Sequence, residues 1–297
     1  MANPNVLSEF PYQSKYCDVL SSKMHYVEKG QGKPILFLHG FPASSYSWRN
    51  IIPYLAPLGR CIAVDLIGMG KSDKPDIPYT IADHIHYIEQ FIETMQLKQV
   101  TLVMHGWGSI IGCDYAMRHE KNCRGLVFYE SYIQPLDNEG LSLPYQEQLV
   151  ALQAKHDAFA NDPIRYVDKI LAQSTLHSLS EEVKQAYRAP FLEKNAGKAC
   201  HELIAELPRG HDITVVDQLI AVYSKKLMKS NLPKLLLYSI PGFITTIGAI
   251  MWAKEHLSHL EVVGVGEDLH FGQESNPRLM GEAISVWLQG VEQGTSA

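Results

Sequence analysis

The chain has 297 residues, of which 46% are apolar and 20% are charged, as expected of a globular protein with a substantial core. Its formal net charge is −6 and it contains no basic run, which argues against a nucleic-acid-binding function. No apolar stretch approaches the roughly 20 residues that cross a bilayer, and residues 1–5 show no signal-peptide pattern, so we expect a cytoplasmic protein without a membrane partner.

The first third of the chain predicts strands that lead to a polar loop. Residues 17–20 and 23–28 alternate in polarity, which suits antiparallel edge strands. The apolar run 34–38 is a third strand, and it opens into His-Gly-Phe-Pro at 39–42. A strand that ends in His-Gly often supplies a backbone N–H group aimed at developing negative charge. A short helix at 51–58, a strand at 61–65 and a helix at about 81–95 follow.

A sharp turn between a strand and a helix stands at the centre of the sequence. The run 100–104 is rich in Val and Leu, as in a buried strand, and apolar residues recur at helical spacing after Ser109. The turn between them resembles a nucleophile elbow, in which small neighbours let the backbone bend until the middle side chain projects over the sheet edge. The middle residue here is Gly106. We therefore predict the backbone frame for covalent catalysis without an attacking atom.

Two further polar residues follow predicted strands. The strand 123–129 ends at Glu130, and the strand 260–265 leads to His270. Between them, residues 132–210 show helical segments without a strand pattern, as expected of a helical lid. Alternating strands and helices elsewhere predict an α/β fold with a mostly parallel sheet, whose active groups gather at the carboxyl ends of the strands. A strand at 234–239 and helices at 248–257 and 277–288 complete this core.

The five cysteines are odd in number, scattered, and never in C-x-x-C spacing: Cys17, Cys61, Cys113, Cys123 and Cys200. A disulfide framework or a cysteine metal site would need paired, regular spacings. Small buried thiols are the better interpretation. We accordingly expect no metal and no cofactor.

Elbow, acid and histidine stand in the chain order of the α/β-hydrolase fold. Within that fold the chain resembles the haloalkane dehalogenases over nearly its whole length. The matching segments are Ser44–Pro53, Asp65–Pro75, His105–Ser109, Leu207–Arg209, Pro233–Leu236 and His270–Pro277. The resemblance implies an eight-stranded, mostly parallel sheet flanked by helices. It also implies a core of residues 1–131 and 211–297 that is interrupted by a helical cap of residues 132–210.

The resemblance further implies site residues. In that family an elbow aspartate displaces halide from carbon and forms an alkyl ester, which a histidine oriented by an acid then hydrolyses. His270 matches the base, Glu130 the acid, and Trp107 one of two N–H donors to the leaving halide. Gly106 stands in the place of the aspartate, and Phe41 in that of the second donor, an asparagine. The His-Gly-Phe-Pro run is also found in related epoxide hydrolases.

Other polar residues near these motifs are interpreted as structural. They are His39, Asp65, His105 and Ser109, and we expect Ser109 to serve the helix start rather than to attack as a substitute nucleophile. Three tyrosines of the predicted cap carry hydroxyls suited to an epoxide or carbonyl oxygen, and the sequence selects none of them: Tyr132, Tyr145 and Tyr166.

Three functions are open at this point. The preferred one is an enzyme in which His270, oriented by Glu130, acts on a small apolar molecule by direct water activation, elimination or cyclisation. The second is a dehalogenase or epoxide hydrolase inactivated by Gly106. The third is a non-catalytic protein that binds an apolar ligand. The presence of both His270 and Glu130 argues against this function, because binding alone would not require them. We expect a monomer or weak homo-oligomer, whose activity falls as pH drops through a histidine pKa that is about 6.5 when unperturbed.

Overall fold

The computed structural model describes residues 6–136, 145–147, 162–193, 196–207 and 214–294. Its strands are β1 (Lys15–Val19), β2 (Ser22–Lys29), β3 (Pro34–Leu38), β4 (Arg60–Val64), β5 (Val100–Gly106), β6 (Cys123–Ser131), β7 (Lys234–Pro241) and β8 (Leu260–Asp268). They form one sheet in the order β1-β2-β4-β3-β5-β6-β7-β8. Strands β1 and β2 pair antiparallel, β2 and β4 pair antiparallel, and the remaining neighbours are parallel. The predicted eight-stranded, mostly parallel sheet is confirmed.

Helices connect the strands and flank the sheet. They are α1 (Ile52–Leu55), α2 (Ile81–Thr94), α3 (Trp107–Arg118), α4 (Pro163–Ser174), α5 (Glu181–Arg188), α6 (Lys198–Ala205), α7 (Val215–Leu227), α8 (Ile247–His256), α9 (Gly272–Ser275) and α10 (Pro277–Gln293). Local sequence fixes several of their starts. Thr80 and Asp83 form a reciprocal capping box at α2, and proline occupies the first turn of α10, where its missing N–H group costs nothing.

Both faces of the central strands are covered. Side chains alternate along β3, so that Leu36 and Leu38 pack with residues of α2, α3 and α7, whereas Ile35 and Phe37 pack with residues of α1 and α10. This burial explains why the central strands are continuous apolar runs rather than alternating ones. The turns at the carboxyl ends of β3, β5 and β6 consequently meet at one edge of the sheet.

The segment between β6 and α7 is helical where the structure describes it. Helices α4, α5 and α6 lie there, and no strand occurs in the described part of 132–210. Residues 137–144, 148–161, 194–195 and 208–210 of the predicted cap lie outside the described residues. The boundaries of a separate cap at 132 and 210 remain a prediction.

All five cysteines are buried and unpaired, as predicted. In the described ranges, no three His, Cys, Asp or Glu side chains are grouped as metal ligands. Within the same ranges, no helix has the length and apolar character that crossing a bilayer requires.

Candidate active site

The turn between β5 and α3 has the geometry of a nucleophile elbow. Gly106, its middle residue, has φ +51° and ψ −123°, a backbone conformation that side-chain-bearing residues rarely adopt. A Cβ atom placed on Gly106 would lie 3.4 Å from His270 Nε2 and 3.4 Å from Gly40 Cα. Both are ordinary van der Waals distances, so a β-carbon at this position would touch the imidazole without a clash.

The two polar residues predicted at other strand ends meet beside this turn. Nδ1 of His270 lies 3.2 Å from Oε2 of Glu130, and both residues are buried. Three consecutive backbone N–H groups after β7 hold the carboxyl group in place. Ile244 donates to Oε2 at 2.6 Å, and Phe243 and Thr245 donate to Oε1 at 3.1 and 3.2 Å. The sequence brings the histidine, the acid and the elbow together from three separate strands.

Burial sets the charge state of this pair. Desolvation raises the pKa of Glu130 to about 7, against the opposing effect of the three N–H donors. Desolvation also lowers the pKa of His270 to about 3, so the unperturbed histidine value does not describe this residue. At neutral pH the imidazole is therefore neutral. With Nδ1–H donated to an ionised Glu130, Nε2 carries a lone pair that faces Gly106.

The loop that carries His270 is held from two sides. The N–H groups of His270 and Phe271 donate to the carbonyl of Ser174, at the end of α4, at 2.9 and 3.3 Å. On the other side, His105 Nε2 donates to the carbonyl of His270 at 3.0 Å, and the two imidazole rings lie 4.3 Å apart. Burial holds the pKa of His105 well below its usual value. His105 is a packed residue, as expected. Its hydrogen bond to the carbonyl of His270 also helps to position the proposed base.

Ser109 is engaged in bonds of the elbow itself. Its hydroxyl donates to the carbonyl of Gly106 at 2.6 Å and accepts the N–H group of Tyr132 at 2.9 Å. These bonds tie the first turn of α3 to the end of β6. They agree with the expected role at the helix start.

A cavity of about 40 Å³ lies between the elbow and the helical segment. Most of its wall is apolar, formed by Phe41, Ile170, Leu207, Phe243 and Ile244, and its polar lining residues are Trp107, Tyr132, Tyr145, Ser174 and His270. Nε1 of Trp107 is buried and donates to no acceptor among the described residues. The hydroxyls of Tyr132 and Tyr145 lie 2.6 Å apart, and Tyr166 is not part of the lining.

Asp65 and His39 organise loops rather than the cavity. Asp65 accepts the N–H groups of Ser45 and Lys71 at 2.6 and 2.8 Å and Nδ1–H of His25 at 2.8 Å. Burial alone would raise the pKa of Asp65, but the hydrogen bond and charge of His25, together with smaller effects of His39 and of the Lys71 N–H group, lower the pKa to about 2. His39 donates to the carbonyl of Gly40 at 2.7 Å and accepts the N–H group of Leu66, which shapes its turn as expected.

Comparison with known proteins identifies the family. The profile of the alpha/beta hydrolase fold matches residues 33–195. A haloalkane dehalogenase of Sphingobium indicum is 36% identical over 289 residues, which cover 93% of this chain and 95% of that protein. Another from Mesorhizobium japonicum is 35% identical over 294 residues, which cover 97% of this chain and 94% of that protein. The chain belongs to the haloalkane dehalogenase family.

Solved structures of the family have the same fold. The haloalkane dehalogenase DatA from Agrobacterium tumefaciens superposes with a TM-score of 0.88 at 30% identity, covering 96% of this chain and 98% of DatA. DbeA from Bradyrhizobium elkani gives a TM-score of 0.89 at 33% identity, covering 95% of this chain and 99% of DbeA. The match of fold therefore extends over the core and the helical segment alike.

The sequence patterns do not reveal several residues that hold this candidate active site together. The backbone N–H groups of Phe243, Ile244 and Thr245 hold Glu130. The side chains of these three residues give no indication of that role. One sequence signal is available: Pro241-Gly242 ends strand β7, and site residues gather at the carboxyl ends of the strands. Gly242 has φ +71°, as a tight turn against Glu130 requires.

A buried ion pair anchors the segment that follows His270. Both side chains of Arg49 and Glu274 are fully buried, and two parallel N–H···O bonds of 2.6 Å join them. The hydroxyl of Tyr187, on α5, donates to the same carboxylate at 2.8 Å. The pair and Tyr187 thus tie the segment after β3, the short helix α9 after β8 and the helical segment into one unit. The sequence motifs contain both residues but do not reveal that they meet.

Glu274→Gln is expected to lower the free energy of unfolding by about 3–5 kcal/mol, because it leaves the buried guanidinium of Arg49 without its counter-charge. The matched control is Glu282→Gln in the exposed pair with Arg278, whose side chains are 62% and 48% exposed. That change is expected to cost no more than about 0.5 kcal/mol. Urea unfolding of both variants measures the difference, and equal losses would contradict the assigned role.

Proposed function

We propose that this family member is an enzyme that uses His270 as a general base, without a covalent ester, to hydrolyse a small apolar molecule. Elimination and cyclisation are reactions of the same base. One observation carries the proposal: the position in which a side-chain nucleophile would stand lies 3.4 Å from Nε2, and the residue there is glycine. A water molecule over Gly106 can therefore reach the lone pair that Glu130 orients.

The reaction follows from the arrangement of these groups. Nε2 of His270 takes a proton from water while the water oxygen attacks the electrophilic carbon, and the bond to the leaving group breaks. Glu130 stabilises the imidazolium that forms. Nε1–H of Trp107 and the N–H groups of the first turn of α3 face the developing negative charge. Phe41 adds only an apolar wall, since its side chain has no N–H group.

The relatives named haloalkane dehalogenases suggest haloalkanes as the first substrates to test. Epoxides form the second class because of the His-Gly-Phe-Pro run at 39–42. The apolar cavity wall supports a small apolar partner. A cytoplasmic location and a monomeric or weakly associated state remain predictions from the sequence.

The proposal predicts a pH dependence that belongs to the His270–Glu130 pair. The active form has an ionised Glu130 that accepts Nδ1–H. Protonated Glu130 donates to Nδ1 instead, which places the remaining imidazole proton on Nε2 and removes the base. Because burial raises the pKa of Glu130 to about 7, kcat/KM is expected to fall as pH drops through about 7.

The pH profile is measured from pH 5 to 8. As a control, protein held at pH 5 and returned to pH 8 must recover full activity, which separates titration from unfolding. A flat profile across this range would contradict a catalytic pair of His270 and Glu130.

The function itself is tested with panels of small haloalkanes and epoxides, incubated with the unmodified protein and with His270→Ala. Products are analysed together with the intact mass of the protein. We expect an alcohol, diol or alkene that forms only when His270 is present, and no mass increase on the chain. An alkyl adduct on the unmodified protein would place the attacking group elsewhere. Tight ligand binding without product, unchanged in His270→Ala, would instead indicate a binding protein.

A second candidate is a haloalkane dehalogenase or epoxide hydrolase inactivated by glycine at 106. The observation that favours it is the elbow itself: the backbone keeps φ +51° at Gly106, and a Cβ atom there meets only ordinary contacts. Space for a β-carbon is therefore present at this position, although the positive φ strains any residue other than glycine. Gly106→Asp separates the two candidates, because it supplies the carboxylate that the elbow lacks.

A further inference from the structure

We propose that a groove between helices α4 and α5 binds a short-chain carboxylate, and that the bound molecule restrains the loop that carries His270. The volume of the groove is about 430 Å³, which lies within the range of about 300–1,000 Å³ for sites of small molecules. The groove shares no lining residue with the cavity at Gly106. The proposed hydrolysis does not use it, so this inference goes beyond the proposed function.

Two helix faces form the walls of the groove. The wall from α4 and the residue directly after it consists of positions at intervals of three and four, which share one face of a helix. These residues are Asp168, Leu171, Ala172 and Thr175. Lys184 and Arg188, which are four residues apart on α5, form the facing wall. The connecting residues 176–179 complete the lining.

The groove offers an apolar surface to a short alkyl chain. Leu171 is buried, whereas Leu176 is 45% exposed, and Ala172 and Leu179 add further apolar lining. The hydroxyl of Thr175 donates to the carbonyl of Leu171 at 2.9 Å and is therefore occupied. An alkyl chain that covers this surface removes apolar area from water, which favours binding.

Lys184 supplies the charge that selects the ligand. It is half-buried, and its ammonium group has no carboxylate partner in the part of the chain that the structure describes. Arg188, by contrast, is bonded to Asp168 at 2.6 Å and also to Glu181. With His177 neutral, Asp168 offsets Arg188 within the lining, and Lys184 leaves one positive charge without a partner. A monocarboxylate complements this charge, whereas an amine is repelled by it.

The end of α4 connects the groove with the loop that carries His270. The carbonyl of Ser174 accepts the N–H groups of His270 and Phe271 at 2.9 and 3.3 Å. The N–H group of Leu176, which lines the groove, donates to Oδ1 of the buried Asp268 at 3.1 Å. A molecule bound against Leu176 therefore restrains this loop through hydrogen bonds at two points. The groove is placed to act as an effector site for the candidate base.

The experiment titrates the protein with sodium hexanoate and follows the backbone amide resonances by NMR, with sodium sulfate holding the ionic strength constant. We expect saturating shifts of Leu176 and Lys184 with a Kd of about 1 mM. The amide resonances of His270 and Phe271 are expected to shift with the same Kd. Hexylammonium, which has the same chain and the opposite charge, is expected to bind at least about tenfold more weakly. The absence of saturating shifts with hexanoate would overturn the inference.

Matched variants locate the bound carboxylate. Lys184→Gln removes the unpaired charge and is expected to weaken hexanoate binding at least about fivefold. Lys169→Gln changes a lysine of α4 outside the lining and is expected to keep the Kd within about twofold. Ala172→Trp fills the groove and is expected to abolish binding, whereas Gln173→Trp, at an exposed position outside the lining, is expected to preserve it. An unchanged Kd in Lys184→Gln would overturn the assigned site.

The loop resonances test the coupling separately. If His270 and Phe271 do not shift when hexanoate saturates the groove, the coupling is overturned. If their shifts persist in Ala172→Trp, hexanoate acts from another site and the groove is overturned. These titrations contain no substrate, so failure of the proposed hydrolysis does not affect them. Hexanoate that does not bind would likewise leave the proposed hydrolysis untouched.

Discussion

Glu130→Gln is expected to lower kcat/KM by about 10³–10⁴-fold, because it changes the tautomer of the proposed base. The amide nitrogen of glutamine can donate to Nδ1 of His270, whereas a carboxylate accepts from it. The imidazole would then carry its proton on Nε2, facing Gly106, and could not accept a proton from water. Activity would be lost because the imidazole is in the wrong tautomer, and not because His270 has moved.

Two measurements distinguish this effect from damage to the fold. Nitrogen NMR of labelled histidine is expected to show the His270 proton moving from Nδ1 to Nε2. The matched control is Glu206→Gln, since Glu206 is a half-buried glutamate that also has a raised pKa and also accepts a backbone N–H group, that of Ile81 at 2.6 Å. That variant is expected to keep its activity within about twofold. An unchanged tautomer in Glu130→Gln, or activity near the parent level, would remove Glu130 from the mechanism.

Gly106→Asp is expected to raise halide release from small haloalkanes by about 10³-fold or more, because the loss of a covalent nucleophile commonly costs several orders of magnitude. The new carboxylate would stand beside Nε2 of His270 and next to the indole of Trp107. The same carboxylate would displace the water that the proposed reaction requires, so the activity of the unmodified protein should disappear. The sparsely populated backbone conformation at position 106 is expected to cost about 1–3 kcal/mol of stability.

Gly106→Asn is the matched control, since its side chain has the same shape without the carboxylate. In the double variant with His270→Ala, the alkyl ester should persist and appear as an added alkyl mass on the protein. If Gly106→Asp releases no halide and forms no adduct, the elbow is not a nucleophile position. If the activity of the unmodified protein survives in Gly106→Asp, water does not act above Gly106.

Much of the fold follows from local patterns in the sequence. The buried run that forms β3 is continuous in apolar residues, and the run that forms β5 is apolar except for Thr101 up to His105. Turns with glycine or polar residues bound both runs. The first and last residues of strands and helices are harder to predict from the sequence. Strand β8 extends to Asp268, past the predicted end at 265, because its last residues pair with β7 despite their polarity. Helix α3 begins at Trp107, earlier than the periodicity after Ser109 indicates, since the elbow bends within a single residue.

The candidate site can likewise be predicted only in part from the sequence. The sequence predicts Gly106, Glu130 and His270 because each stands at or just beyond the carboxyl end of a strand, and these ends meet at one edge of a parallel sheet. The amides that hold Glu130, the bond from His105 and the ion pair of Arg49 with Glu274 all join segments far apart in the chain. No local pattern records such pairings. The lowered pKa of His270 was likewise out of reach, because burial is a property of the folded chain.

The most direct test of direct water activation is a single turnover in water enriched in oxygen-18, with protein in excess over a haloalkane. If His270 activates water over Gly106, the alcohol from the first turnover carries oxygen-18 and the protein gains none. If a carboxylate of the chain forms an ester, the first alcohol carries ordinary oxygen and the label enters the protein. An unlabelled alcohol with a labelled protein would contradict the proposed mechanism.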